Sequence, residues 1–177
     1  ESVEARYKLD SSGAWRDFKS LNHIMVCGES GLSTDQIESF IHRSELKGGM
    51  KPAVVFVDYI GLIRAVDARS RYEKLSETAE QMKVIAKRTK TIVIMGTQIA
   101  RPDKSKESLE PKLHDAKDSG SIENSAGLVL AAWRPDRGTM MLKILKNSKG
   151  NSNAVIECNF DGERMQITER ATDRHYA

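Results

Sequence analysis

Apolar residues in this chain follow two patterns: some form short unbroken runs, and others recur every three or four positions. The run Ala53-Val54-Val55-Phe56-Val57 is continuous, β-branched and aromatic, and it stops on Asp58. Such a run predicts a strand buried on both faces, as in a parallel sheet covered by helices. Residues 91–96 form a second run of this kind, ending at Thr97 and Gln98. A shorter run at residues 23–27 predicts a further strand before a turn from Gly28 to Gly31. The stretches between these runs are periodic. Ser33 followed by Gln36 resembles a capping box, and it opens a helix with Ile37, Phe40 and Ile41 on one face. Gly48-Gly49 ends that helix. Over residues 71–89, Tyr72, Leu75, Ala79, Met82 and Ala86 trace one stripe of a long helix.

The second half reads differently. Residues 101–119 form a charged loop with two prolines, long enough to suggest function or disorder. Short strands follow at residues 128–133, 140–145, 154–159 and 165–168, with Gly138, Gly150 and Gly162 marking the turns. Strands separated by helices imply parallel pairing, and the closing run of short strands implies an antiparallel extension. The expected fold is therefore α/β: a mostly parallel sheet flanked by helices, with a C-terminal antiparallel extension. No internal repeat is visible.

Composition narrows the class without naming a function. The chain has 177 residues, 39% of them hydrophobic and 30% charged, which suits one soluble domain with a real core. The formal charge of +3 neither requires nor opposes a nucleic-acid partner. Cys27 and Cys158 are far apart, match no metal spacing, and read as reduced, buried thiols of a cytoplasmic protein. No apolar stretch approaches the ~20 residues needed to span a bilayer, and the charged N-terminus lacks the apolar segment of a signal peptide.

Four places could carry chemistry. In open α/β sheets, ligands bind outside the carboxyl ends of the strands. Asp58 falls at such an end, where a carboxylate can hold Mg²⁺ beside nucleotide phosphates, in the manner of a Walker B element. Taken alone, it equally fits a carboxylate that turns the chain. Gln98 ends the next strand at the same edge. It could sense a γ-phosphate or orient water, or be a plain polar strand end. The stretch Leu113-His114-Asp115-Ala116-Lys117-Asp118-Ser119-Gly120-Ser121-Ile122-Glu123 could present backbone N–H groups to phosphates, or be a solvated loop. Lys146 and Lys149 stand near a hairpin tip. They could reach a phosphate across a subunit interface, or protect an edge hairpin. His114 fits a lone surface histidine better than a base, and Trp15 and Trp133 fit packing. The phosphate-cradling GxxxxGK[ST] motif does not occur in the 177 residues.

In order, these segments resemble the C-terminal motor domain of DnaB-type replicative helicases. The likeness runs from about residue 20 to 168. It begins with Val57-Asp58-Tyr59-Ile60-Gly61-Leu62, similar to that family's Walker B strand and turn. It continues through Ile85-Ala86-Lys87 and Thr97-Gln98-Ile99, the latter similar to a Ser-Gln-Leu motif. It is most distinctive at residues 115–123, similar to the pattern Asp-Leu-Arg-Glu-Ser-Gly-Ala-Ile-Glu. It closes with Lys146-Asn147 and Asn159-Phe160-Asp161. Each motif is weak alone; their order and spacing carry the resemblance.

The resemblance implies a RecA-like fold over residues 1–177 as a single partial domain without its first strand and P-loop. It implies a parent protein that acts as an ATP-driven hexameric ring on single-stranded DNA, with primase or a helicase loader as further partners. By position, Asp58 would hold Mg²⁺ through water, and Gln98 would couple the γ-phosphate of ATP to the DNA loops. Lys117, Asp118, Ser119 and Gly120 would lie along the DNA backbone. Lys146 would reach the neighbouring subunit's ATP site. Ser148 departs from the family pattern, which has an arginine finger there, and the adjacent Lys149 would substitute only in part because lysine lacks the bidentate fork. Truncation explains the absent P-loop on this reading, and the chain as printed is expected not to hydrolyse ATP. The alternative is a degenerate standalone RecA-like module that binds DNA or a helicase partner without ATPase activity.

Overall fold

The structure is a computed structural model that describes residues 24–49, 51–65, 70–99, 110–115, 120 and 124–170. The chain divides into two compact units, Glu1–Ser30 and Gly31–Ala177, and each is treated by itself. In the first unit, residues 24–30 are irregular and exposed. The strand expected at residues 23–27 is therefore not formed over 24–27: its residues have no ladder partner, and Ile24, Met25 and Val26 lie in solvent. Cys27 is exposed rather than buried, whereas Cys158 is buried as expected.

The second unit opens with helix α1, Thr34–Gly48. Its start is the capping box read from sequence. Ser33 Oγ accepts from the Gln36 N–H, and Gln36 Oε1 accepts from the Ser33 N–H at 2.9 Å. Loss of such a cap costs about 1 kcal/mol. Gly49 stops the helix in the left-handed region at φ 67°, where its N–H reaches the Glu45 carbonyl. Strand β1, Val54–Val57, follows, then a single 3-10 turn, Ile60–Leu62. Helix α2, Arg71–Thr89, carries Ser70 as its N-cap and Lys87 and Arg88 in its last turn, where they suit the helix dipole. Strand β2, Ile92–Met95, completes a parallel pair with β1 in the register Val54↔Ile92 to Val57↔Met95.

The core lies between this pair and the two helices. Ile37 and Ile41 of α1 meet Met82 and Ile85 of α2, together with Ile63. Val55, Val57, Val93 and Met95 from the strands pack against that cluster. A second cluster joins Ile60 to Leu75 and Ala79. The expectation of burial on both strand faces is only half met. Alternation sends Val54, Phe56, Ile92 and Ile94 to the opposite face, and all four are exposed, Phe56 at 75%. Among the described residues no helix covers that face.

The remaining strands form a separate antiparallel meander: β3 (Leu128–Trp133), β4 (Thr139–Asn147), β5 (Val155–Asp161) and β6 (Gln166–Glu169). A bulge interrupts the β3–β4 ladder between Val129 and Leu130. At the β3–β4 turn, the Gly138 N–H bonds Asp136 Oδ1 at 2.8 Å. That bond, followed by one with the Thr139 side chain, holds the Asp136 carboxyl below its ordinary value. Arg134 lies over the Phe160 ring at 4.2 Å from its centroid. No described helix is long and apolar enough to cross a membrane.

Candidate nucleotide and nucleic-acid site

The parallel register brings the ends of β1 and β2 to one sheet edge. Val57 pairs with Met95, so Asp58 and Gly96 are the first residues beyond each strand. The Gly96 N–H bonds the Val57 carbonyl at 3.0 Å, and the Ile60 N–H bonds the Gly96 carbonyl at 3.0 Å. These two bonds lace the chain after Asp58 to the end of β2. Asp58 is exposed, and the Asp58–Tyr59 peptide is cis. A methyl placed on Gly96 would stand 3.8 Å from Asp58 Oδ1, at ordinary contact distance, so Gly96 lies directly beside the carboxylate. Gln98 lies two residues beyond Gly96 and is exposed.

The turn after Asp58 is tightly built. Tyr59 folds over Gly61, where an added methyl would meet its ring at 2.5 Å; only glycine fits there without moving the tyrosine. Lys74 of α2 donates from Nζ to the Gly61 carbonyl at 3.1 Å. Neither contact was legible in the sequence. Gly61, four residues past the first run, and Gly96, at the end of the second, were the available signals, since glycine often marks close backbone approach.

The other expected site residues are distributed unevenly. Lys117, Asp118 and Ser119 lie outside the described residues. Gly120 is described and exposed, and a methyl on it would stand 3.8 Å from the Tyr72 hydroxyl oxygen at the start of α2. Lys146 is half-buried in β4, opposite Val129. Lys149 is exposed at the β4–β5 turn, and its N–H bonds Asn147 Oδ1 at 3.1 Å.

No group of three or more potential metal ligands occurs among the described residues. A carboxylate such as Asp58 would hold Mg²⁺ together with waters and substrate phosphates, since Mg²⁺ keeps several waters and binds through one or two carboxylates.

With this geometry in view, the comparisons decide the family. The family model for the DnaB-like helicase C terminal domain matches residues 8–169. The chain belongs to this family. Among curated relatives, it is 26% identical over 168 residues to the replicative DNA helicase DnaB of Haemophilus influenzae, covering 90% of this chain and 36% of that protein. It is 37% identical over 106 residues to DnaB of Rickettsia bellii, covering 59% of this chain and 21% of that protein. The chain thus spans about a third or less of the length of these DnaB relatives. A solved DnaB-like replicative helicase, described with its interactions with primase, superposes with a TM-score of 0.79 at 20% identity, over 96% of this chain and 45% of that one. A solved ATPase domain superposes equally well, over 96% of this chain and 64% of the other. The fold is RecA-like and α/β, as the order of elements implied.

Proposed function

We propose that the full-length protein is a hexameric replicative DNA helicase that couples ATP hydrolysis to movement along single-stranded DNA and to duplex unwinding. The observation that carries this reading is the shared edge of β1 and β2 in a DnaB-like chain. There Asp58 sits beside Gly96 at the end of β2, and Gln98 follows two residues past Gly96. Asp58 would hold hydrated Mg²⁺ against the phosphates of ATP, supplying charge neutralisation during phosphoryl transfer. Gln98 would report the state of the γ-phosphate. Lys146, with Lys149 at the turn, would serve the ATP of the adjacent subunit in the ring. Primase or a helicase loader are the protein partners this reading expects, in the cytoplasm.

Lys117, Asp118, Ser119 and Gly120 would track the DNA backbone. Binding of this kind is salt-sensitive and largely blind to sequence. The test is Lys117→Ala in the full-length protein, read by fluorescence anisotropy on oligo(dT) across a salt series. One lost phosphate contact is expected to flatten the slope of log K against log salt by about 0.7 on a single strand, and to weaken binding similarly on all sequences. An unchanged slope removes the loop from the DNA path.

A second reading rests on the missing GxxxxGK[ST] motif and on Ser148. In it the protein is a degenerate RecA-like module that binds DNA or a helicase without turning over ATP. ATP turnover by the full-length protein rules it out.

A further inference from the structure

The single 3-10 turn after Asp58 is too short to satisfy all of its own carbonyls. The Leu62 N–H bonds the Tyr59 carbonyl at 3.0 Å, and the Ile63 N–H bonds the Ile60 carbonyl at 3.2 Å. The Gly61 carbonyl comes next in line. It accepts from Lys74 Nζ at 3.1 Å, thirteen residues on and near the start of α2. A lysine side chain that reaches the last carbonyl of a helical turn caps it. Lys74 is half-buried, so water competes less for that bond than it would at an exposed lysine. Two further contacts hold the same turn. The Ile60 N–H bonds the Gly96 carbonyl at 3.0 Å, and the Ile60 side chain, 2% exposed, packs against Leu75 and Ala79 of α2. The chain from Asp58 to Ile63 is thus held by the end of β2 at one place and by α2 at two.

We propose that Lys74 is a positioning residue for the Asp58 carboxylate: by capping the Gly61 carbonyl it fixes the turn that presents Asp58 to the hydrated Mg²⁺ of the nucleotide. It acts through the backbone between Asp58 and Gly61 and does not itself touch metal or nucleotide. The proposal rests on the functional reading above, and it adds a residue that none of the motifs contains. Groups that stand behind a metal-binding side chain fix its orientation, and losing one typically costs about 10–100-fold in metal affinity. Lysine suits the task because its long apolar stem can run along the helix–turn contact while its charged head reaches the carbonyl.

The test uses the full-length protein and the non-hydrolysed analogue mant-AMPPNP, with affinity read by fluorescence in EDTA and across a Mg²⁺ titration. Lys74→Met keeps the aliphatic stem and removes the donor. The Mg²⁺ concentration that gives half of the affinity gain is expected to rise about tenfold, with affinity in EDTA within about twofold of wild type. Lys74→Arg, which retains a donor, is expected to recover most of the Mg²⁺ response. A purely structural defect would instead weaken binding equally with and without Mg²⁺. If Lys74→Met does not fold, Ile60→Val carries the same comparison, because it thins the other contact of the turn with α2 by one methylene; a smaller rise in the Mg²⁺ requirement is expected there. An unchanged Mg²⁺ requirement in the folded variant, or a loss that is equal with and without Mg²⁺, overturns the positioning role and leaves the helicase reading intact. A wild-type protein whose binding of the analogue does not respond to Mg²⁺ overturns both.

Discussion

Asp58→Asn in the full-length protein is expected to lower Mg²⁺-dependent ATP turnover by about a hundred- to thousandfold, or ~3–4 kcal/mol of transition-state stabilisation. The asparagine has nearly the same shape, so the lacing of Ile60 and Gly96 should persist and the fold with it. What changes is the formal charge beside Gly96. The measurement is steady-state phosphate release over a Mg²⁺ titration, with the melting temperature as control. Turnover within tenfold of wild type, in a folded variant, would remove Asp58 from the metal site.

The second large effect concerns the core. Met82 is fully buried between the two helices and the inner face of the parallel pair. Met82→Ala is expected to destabilise the domain by about 2–5 kcal/mol, through lost apolar transfer and the cavity left behind. Its neighbours Ile37, Ile41 and Ile85 are β-branched and held by two helices, so collapse into the space is restricted. Urea denaturation followed by circular dichroism reads this as a lower midpoint at constant slope. A change below about 1 kcal/mol would mean that the helices repack, and that the helix–sheet contact is looser than the burial implies.

The legible parts of the fold were those encoded locally. Ser33, Gln36 and Gly49 gave α1 both of its ends. The stripe through Leu75, Ala79 and Met82 gave α2, although Tyr72, on the same stripe, is exposed. Unbroken β-branched runs gave β1, β2 and β3 to within a residue. The run at residues 23–27 failed because an apolar run is only a strand when another strand pairs with it, and pairing is not a local property. Burial of β1 was over-read for a similar reason. Continuous apolarity reports what the strand can tolerate on each face; what covers the face lies elsewhere in the chain or beyond it.

The candidate site was legible as a set of residues but not as a mechanism. Parallel strands in register end together, which sets Gly96 level with Asp58; Gln98, expected at the strand end, lies three residues beyond Met95. The contact of Lys74 with Gly61 joins residues 13 apart in sequence. No motif spans such distances, and a lysine in a polar helix turn looks like any solvated lysine. The charge and shape around Gly61 give Lys74 its meaning.

The uncovered face of the parallel pair has a consequence for the polypeptide in solution. Val54, Phe56, Ile92 and Ile94 put four large apolar groups side by side in water, on strands whose outer edges are unpaired among the described residues. Such a surface is adhesive: it can take up another β-prone segment edge to edge or stack on a like face. The 177 residues by themselves should therefore self-associate with rising concentration, with light scattering growing as salt screens their modest net charge. Phe56→Lys, which places a charge at the centre of that face, should delay the onset without touching the buried side of the sheet.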